Sequence, residues 1–304
     1  MSTRSDGGAP NLPTHGAKVL PSVEVDSYNL EIEDEDGFIG DKASKGAFRE
    51  MLDEVRSTLR KSGEDPLGDE DSQEISKKRL DALLSGGDVD AAAVVQRAIE
   101  TFSEQLVRVL KRFLRLKSWS DTECIVFGGG FRAGRVGELA IARARILLRE
   151  GGVDVAVKLL GNHPNEAGLI GAAHLLPPWM MKGHDAMLAV DIGGTNIRAG
   201  IVELRLDKKP DLSLARVDDM RLWRHRDEEG LDREDAVGEL IKMLKELIKA
   251  AGKGKFNLAP VIGIGCPGVI RDDGSIDRGA QNLPGNWESS RFNLPASIRE
   301  AIPQ

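Results

Sequence analysis

Asp191, Gly193, Gly194, Thr195, Asn196 and Arg198 fall within a single stretch of eight residues and bring together an acid, two glycines, a hydroxyl, an amide and a cation. They lie in residues 187–206, MLAVDIGGTNIRAGIVELRL, where one apolar run ends in Asp191 and a second leaves through Ile197 and Arg198. The pattern predicts a β-hairpin whose turn is made for phosphate. Glycine can adopt positive φ and, without a Cβ, lets backbone N–H groups come close to an anion. The Thr195 hydroxyl adds a donor, and the Asp191 carboxylate is placed to hold Mg²⁺, directly or through water. A bare Gly-Gly between strands would read as an ordinary turn. The concentration of polar functions in DIGGTNIR is what argues for chemistry.

DIGGTNIRAGIV resembles the first phosphate motif of the fold shared by sugar kinases, actin and the heat-shock chaperone ATPases, in the form found in the ROK family of bacterial sugar kinases and repressors. It is not a P-loop, which needs a Lys and a following helix. The resemblance implies an α/β, ribonuclease H-like fold, with ATP and Mg²⁺ used to phosphorylate a glucose-like hexose. On that reading Asp191 helps hold Mg²⁺, while the N–H groups from Gly193 to Asn196 and Thr195 Oγ cradle phosphates with Arg198 beside them.

Composition sets outer limits. The chain has 304 residues, enough for one large domain or two ordinary ones, and a formal net charge of -7, which argues against a nucleic-acid partner gripped by bulk charge. The local basic cluster Arg108, Lys111, Arg112, Arg115 and Lys117 reads as a solvated helix face. Cys124 and Cys266 sit in apolar runs and read as small buried hydrophobes, with no disulfide framework or zinc set. No apolar signal region or membrane-length run is present, so a soluble, cytoplasmic protein without a membrane partner is expected; a homodimer is left open.

Taken in order, residues 1–43 are rich in Gly, Pro, Ser, Asp and Glu and are expected to form a mobile acidic tail. Helical spacing of Phe48, Met51, Leu52, Val55 and Leu59 predicts a helix over 45–61, followed by a charged loop over 62–78. Val95, Ile99, Phe102, Leu106, Val109 and Phe113 form one apolar stripe of a long helix over 89–116. A strand over 123–127 then runs into Gly128, Gly129 and Gly130 and a further helix. Glycines before a helix N-terminus are the general layout of a nucleotide contact. Gly128, Gly130 and Ala133 also fit a dinucleotide fingerprint, but the next strand, 153–160, ends in Leu-Leu-Gly-Asn where a Rossmann site wants an acid.

The triple glycine, a helix, a strand and then NEAGLIGAA, preceded by the long helix, resemble the C-terminal lobe of ROK kinases. The resemblance places Gly128, Gly129 and Gly130 beside the adenosine. Residues 79–178 therefore resemble the family's last third yet precede its first strand. Either the fold is circularly permuted, which close-lying termini tolerate, or two coding regions have been joined. The expected organisation is a tail over 1–43, a C-terminal-lobe-like segment over 44–178, a connector over 179–186 and an N-terminal-lobe-like segment over 187–304. A connector that packs would favour permutation.

Within the last segment a strand is expected over 212–223, a charged exposed edge over 221–226, a helix over 235–251 stopped by Gly252, and a central strand over 259–264 buried on both faces. GIGCPGVI and GSIDRGAQNLPGNW resemble the ROK sequence around the sugar cleft, which implies sugar-side roles for Gly265, Pro267, Gly268 and Asn282 and a cleft shaped by Trp287. The family next supplies an Asn-Asp strand carrying the catalytic base, a second phosphate turn, a Glu-rich sugar site and often a His/Cys zinc cluster. None of these is matched here, so the second half of the fold is incomplete and the base has no assigned residue. Asp272, Asp273 and Asp277 belong to a turn and are not promoted to that role. The chain is thus expected to be a permuted, truncated ROK-type sugar kinase inactive on its own, with a ROK-like sugar-sensing or regulatory protein, or an incomplete gene product, as alternatives.

Overall fold

The computed structural model describes residues 15–25 and 32–302 and shows a mixed α/β protein with eight α-helices among those residues. It divides into two compact units, residues 27–164 and residues 1–26 with 165–304. The break falls at the first residue of a helix, earlier than the connector expected from sequence.

In the unit of residues 27–164, β1 (Glu33–Asp34) and β2 (Gly37–Phe38) form a small antiparallel pair, and Lys42 bonds Asp34 and Asp36 at 2.7 and 2.8 Å. The expectation of a mobile tail fails here, because Ile39 is buried and the 3₁₀ turn Ile39–Ala43 leads straight into helix α1 (Lys45–Lys61). Residues 15–25 are also placed: Val19 bridges Glu24, and a Cβ on Gly16 would collide with Ile270 O. The rest of the expected tail, residues 1–14 and 26–31, lies outside the described residues.

Ser44 caps α1 by accepting from Ala47 N at 3.1 Å, and Asp88 caps α3 (Val89–Leu114) by accepting from Ala91 N at 3.0 Å, so both helices start where a short polar side chain meets an orphan N–H. Between them lies α2 (Lys77–Ser85), which sequence patterning did not separate from its surroundings. The loop over 62–76 is tied down by Arg56, whose side chain is 0% exposed and bonds Asp65, Ser72 Oγ and Gly68 O. Phe48, Phe102 and Phe131 pack ring against ring at the centre of this unit's core. β3 (Cys124–Phe127), α4 (Arg135–Glu150) and β4 (Ala156–Leu159) follow, the two strands pairing in parallel from Cys124 opposite Ala156 to Phe127 opposite Leu159. Cys124 is exposed, against expectation, because it lies on the uncovered face of this two-stranded sheet.

The other unit is built on a sheet ordered β7-β6-β5-β8, from β5 (Ala186–Ile192), β6 (Ile197–Glu203), β7 (Arg216–Trp223) and β8 (Leu258–Gly265). β5 to β7 are antiparallel, and β8 returns parallel to β5 after helix α7 (Arg233–Gly254). Side chains alternate across the sheet into two cores. Leu188, Val190, Ile197 and Ile201 face Leu240, Leu244 and Leu247 of α7; Met187, Ala189 and Val202 face Leu169, Ala172 and Ala173 of α5 (Pro164–Ala173). That second contact is why α5 belongs with this unit. Met181, in the short helix α6 (Pro178–Met181), is buried in the same core, so the connector packs.

Two expectations are corrected. β8 is an edge strand among the described residues, and Ile262 and Ile264 are only partly buried: its apolar run signalled a central strand, but only β5 pairs with it. α7 runs through Gly252 and ends where Lys255 turns left-handed at φ 59°, its N–H bonding Ala251 O and Gly252 O. At its other end Asp232 and Asp235 cap each other's backbone N–H groups. The chain closes with the pair β9 (Val269–Ile270) and β10 (Ile276–Arg278) and helix α8 (Leu294–Ala301). No helix among the described residues is long and apolar enough to cross a membrane.

Candidate functional site

The phosphate-like turn closes the β5–β6 hairpin, with Asp191 opposite Arg198 and Ile192 opposite Ile197. Gly193 N donates to Asn196 O at 2.9 Å, which removes that N–H from the set expected to meet an anion. Neither Gly193 nor Gly194 has positive φ. Glycine is required at 194 for space: a Cβ there would lie 2.8 Å from Asn282 Cβ. The turn of residues 280–284 thus sits directly on the hairpin tip, bringing Asn282, expected on a sugar side, to Gly194 and Thr195, expected to meet phosphate. Gly194→Ala should therefore part these two turns and weaken anion binding measured by titration, and adding Asn282→Gly should restore much of it; full affinity in the single variant would show the contact to be dispensable.

Asp191 stands at the carboxyl end of the parallel pair β5–β8, the edge where open α/β sheets bind ligands. Its neighbours across the sheet are Arg198 on β6 and Gly265 on β8, so the missing side chain at 265 leaves room beside the carboxylate. Arg198 donates from Nη1 to Asp191 Oδ2 at 3.2 Å and from Nε to Asn165 Oδ1 at 3.1 Å. With the Asn196 amide oriented to satisfy its neighbours, Arg198 Nη2 also donates to Asn196 at 3.2 Å. The guanidinium, expected beside a phosphate, is thus held by Asp191, Asn165 and Asn196. Behind the carboxylate stands α5: a Cβ on Gly168 would lie 2.7 Å from Asp191 Cγ.

A single carboxylate beside a phosphate turn fits Mg²⁺ that takes most of its shell from water and phosphate. It does not fit a cage built from protein alone, and among the described residues no three His, Cys, Asp or Glu side chains gather to make one.

On its outer side the hairpin tip is held by residues that sequence reading passed over. His225, 4% exposed, lies with its ring Nε2 2.8 Å from Gly193 O; a carbonyl only accepts, so Nε2 carries the proton. Arg226 N donates to Thr195 O at 3.3 Å. His225 was hidden in RHRDEEG, whose charge reads as an exposed edge. Between this strap and residues 281–284 opens a cleft of about 460 Å³.

The remaining expected positions are more structural. Gly268 has φ 100°, and a Cβ there would lie 2.5 Å from Arg278 O, so it serves the turn against β10, with Pro267 just before it. Cys266 is partly covered, and burial pushes its thiol up to about 12. Trp287 is 1% exposed, bonds Pro284 O at 2.7 Å and packs edge-on against Phe292; it anchors the 280–284 turn and offers no face to a sugar. Gly128, Gly129 and Gly130 follow β3 in the other unit, and only Gly129 has positive φ, at 79°. There the N-terminus of α4, which the layout offers to an anion, already has Asp81 Oδ1 accepting from Val136 N at 3.0 Å.

Among known proteins, no family model matches the chain, and no curated protein matches it.

Proposed function

We propose that the protein is a ROK-type sugar kinase of ribonuclease H-like fold with its lobe order permuted, for which ATP and Mg²⁺ would serve to phosphorylate a hexose. The observation that carries this reading is Gly168 lying against the Asp191 carboxylate. A helix that precedes the hairpin in sequence completes the hairpin's own site, which favours a permuted fold over an accidental joining of two segments.

ATP would supply the phosphoryl group and Mg²⁺ the neutralisation of its charge. Phosphoryl transfer asks of the protein chiefly positioning and electrostatics. Asp191 offers the carboxylate for the metal shell, Arg198 fixes its orientation, and Thr195 Oγ with the free N–H groups of the turn meets phosphate oxygens. Gly265 and Asn282 would stand on the hexose side, as the resemblance implies.

ATP binding to the 304-residue chain tests the reading. Weak, Mg²⁺-dependent binding that Asp191→Asn reduces about tenfold supports it; binding indifferent to Mg²⁺ and to that substitution overturns it.

A further inference from the structure

The hairpin tip is held on two sides by consecutive residues, the His225 ring at Gly193 O and the Arg226 N–H at Thr195 O. Backbone pairing at 3.3 Å ties the base of the Arg226 side chain to the residue that carries the Thr195 hydroxyl. Both residues line the same cleft, Thr195 and Arg226 are exposed in it, and the amides of Gln281 and Asn282 form another part of its wall. Arg226 makes no ion pair among the described residues, whereas Arg198, the cation that sequence reading assigned to phosphate, is committed to Asp191, Asn165 and Asn196.

We propose that Arg226 is the phosphate-binding cation of this site, its guanidinium meeting a phosphoryl group held in the cleft by Thr195 Oγ and the hairpin tip. The inference rests on the phosphate reading of the hairpin and moves its positive charge from the strand to the strap. A planar fork of N–H donors suits a phosphoryl group's oxygens, and an arginine with no carboxylate partner has no competitor to displace. Glu228 also lines the cleft, but its Oε1 accepts from Trp223 Nε1 at 2.7 Å, which draws that carboxylate toward the indole. Trp223 lies 5.8 Å, ring to ring, from His225 and is therefore a built-in reporter of the strap.

Inorganic tripolyphosphate, which carries neither base nor sugar, is the probe, titrated into the full chain with calorimetry as the readout and, in a variant keeping Trp223 as its one tryptophan, fluorescence beside it. Arg226→Ala should weaken binding about ten- to a hundredfold and flatten its salt dependence, with unchanged circular dichroism, and Arg226→Lys should recover part of the loss. Thr195→Ala, acting on the same bound group, should weaken it as well. If Thr195→Ala weakens binding and Arg226→Ala leaves it at the wild-type level, the Arg226 assignment fails and the hairpin reading stands. If the wild type binds no tripolyphosphate with or without Mg²⁺, both fail together.

Discussion

Replacing Arg56 with alanine should destabilise the unit of residues 27–164 by roughly 3–4 kcal/mol, the largest loss expected from any single truncation of its polar interior. The side chain is fully buried and satisfies Asp65, Ser72 Oγ and Gly68 O at 2.8 to 3.0 Å, so its loss strands three acceptors at once. The estimate sits at the low end for buried ion pairs because Arg60 Nε also reaches Asp65, at 2.8 Å. Hydrogen exchange of α1 and α3 amides reads the loss in this unit alone. Protection in Arg56→Ala equal to wild type would refute it.

The same pair predicts a pH dependence. Burial raises the Asp65 carboxyl, but bonds from Leu67 N–H, Arg60 and Arg56 outweigh burial and hold it below its ordinary value of 3.8. A carboxyl whose folded value is depressed contributes stability that is fully present above the unfolded value and lost as pH falls through the folded one. The stability difference between wild type and Asp65→Asn should therefore be level at neutral pH and shrink below about pH 4. A difference that grew on acidification would contradict this arrangement.

Gly168→Ala should spare the fold and damage the site. The new methyl would come 2.7 to 3.0 Å from all three atoms of the Asp191 carboxyl group, which forms the free end of a short side chain and can move aside. Movement breaks the 3.2 Å bond from Arg198 and displaces the group proposed to face Mg²⁺. The expected result is a drop of about tenfold or more in Mg²⁺-dependent ATP affinity, since truncating or misplacing one partner of a charge pair costs 2 kcal/mol or more. Gly171, one turn further along α5, has nothing within 4 Å of a new Cβ. Gly171→Ala should keep that affinity and gain roughly 0.5–1 kcal/mol from helix propensity. Equal affinity in the two variants would dissociate α5 from the site.

Local periodicity made much of the architecture legible. The stripe from Val95 to Phe113 marks α3, the spacing around Phe48 and Leu52 marks α1 to the residue, and the two apolar runs flanking DIGGTN mark the β5–β6 hairpin. These signals reflect which face each element buries, and an element's burial face is set within a few residues. The same local rule misled at β8, where an apolar run reads alike in a central strand and in an edge strand half-covered by helices.

The site was legible only in part, for the same physical reason. Asp191, Gly194 and Thr195 announce themselves by residue type, because a phosphate turn needs donors and small residues wherever it occurs, whereas Asn282 was picked out only through the resemblance. Which groups are spent inside the protein depends on partners distant in sequence. Arg198 is taken up by Asp191 and Asn165, 7 and 33 residues away, and Trp287 is drawn into the core. His225, buried in a run of charges, becomes the strap of the turn. The sequence alone determined the hairpin and the helices that flank it. Only the tertiary structure decided which cation is taken into an ion pair and that a helix preceding the hairpin packs against its Asp191 carboxylate, since charge pairing and close packing are properties of side chains brought together in space.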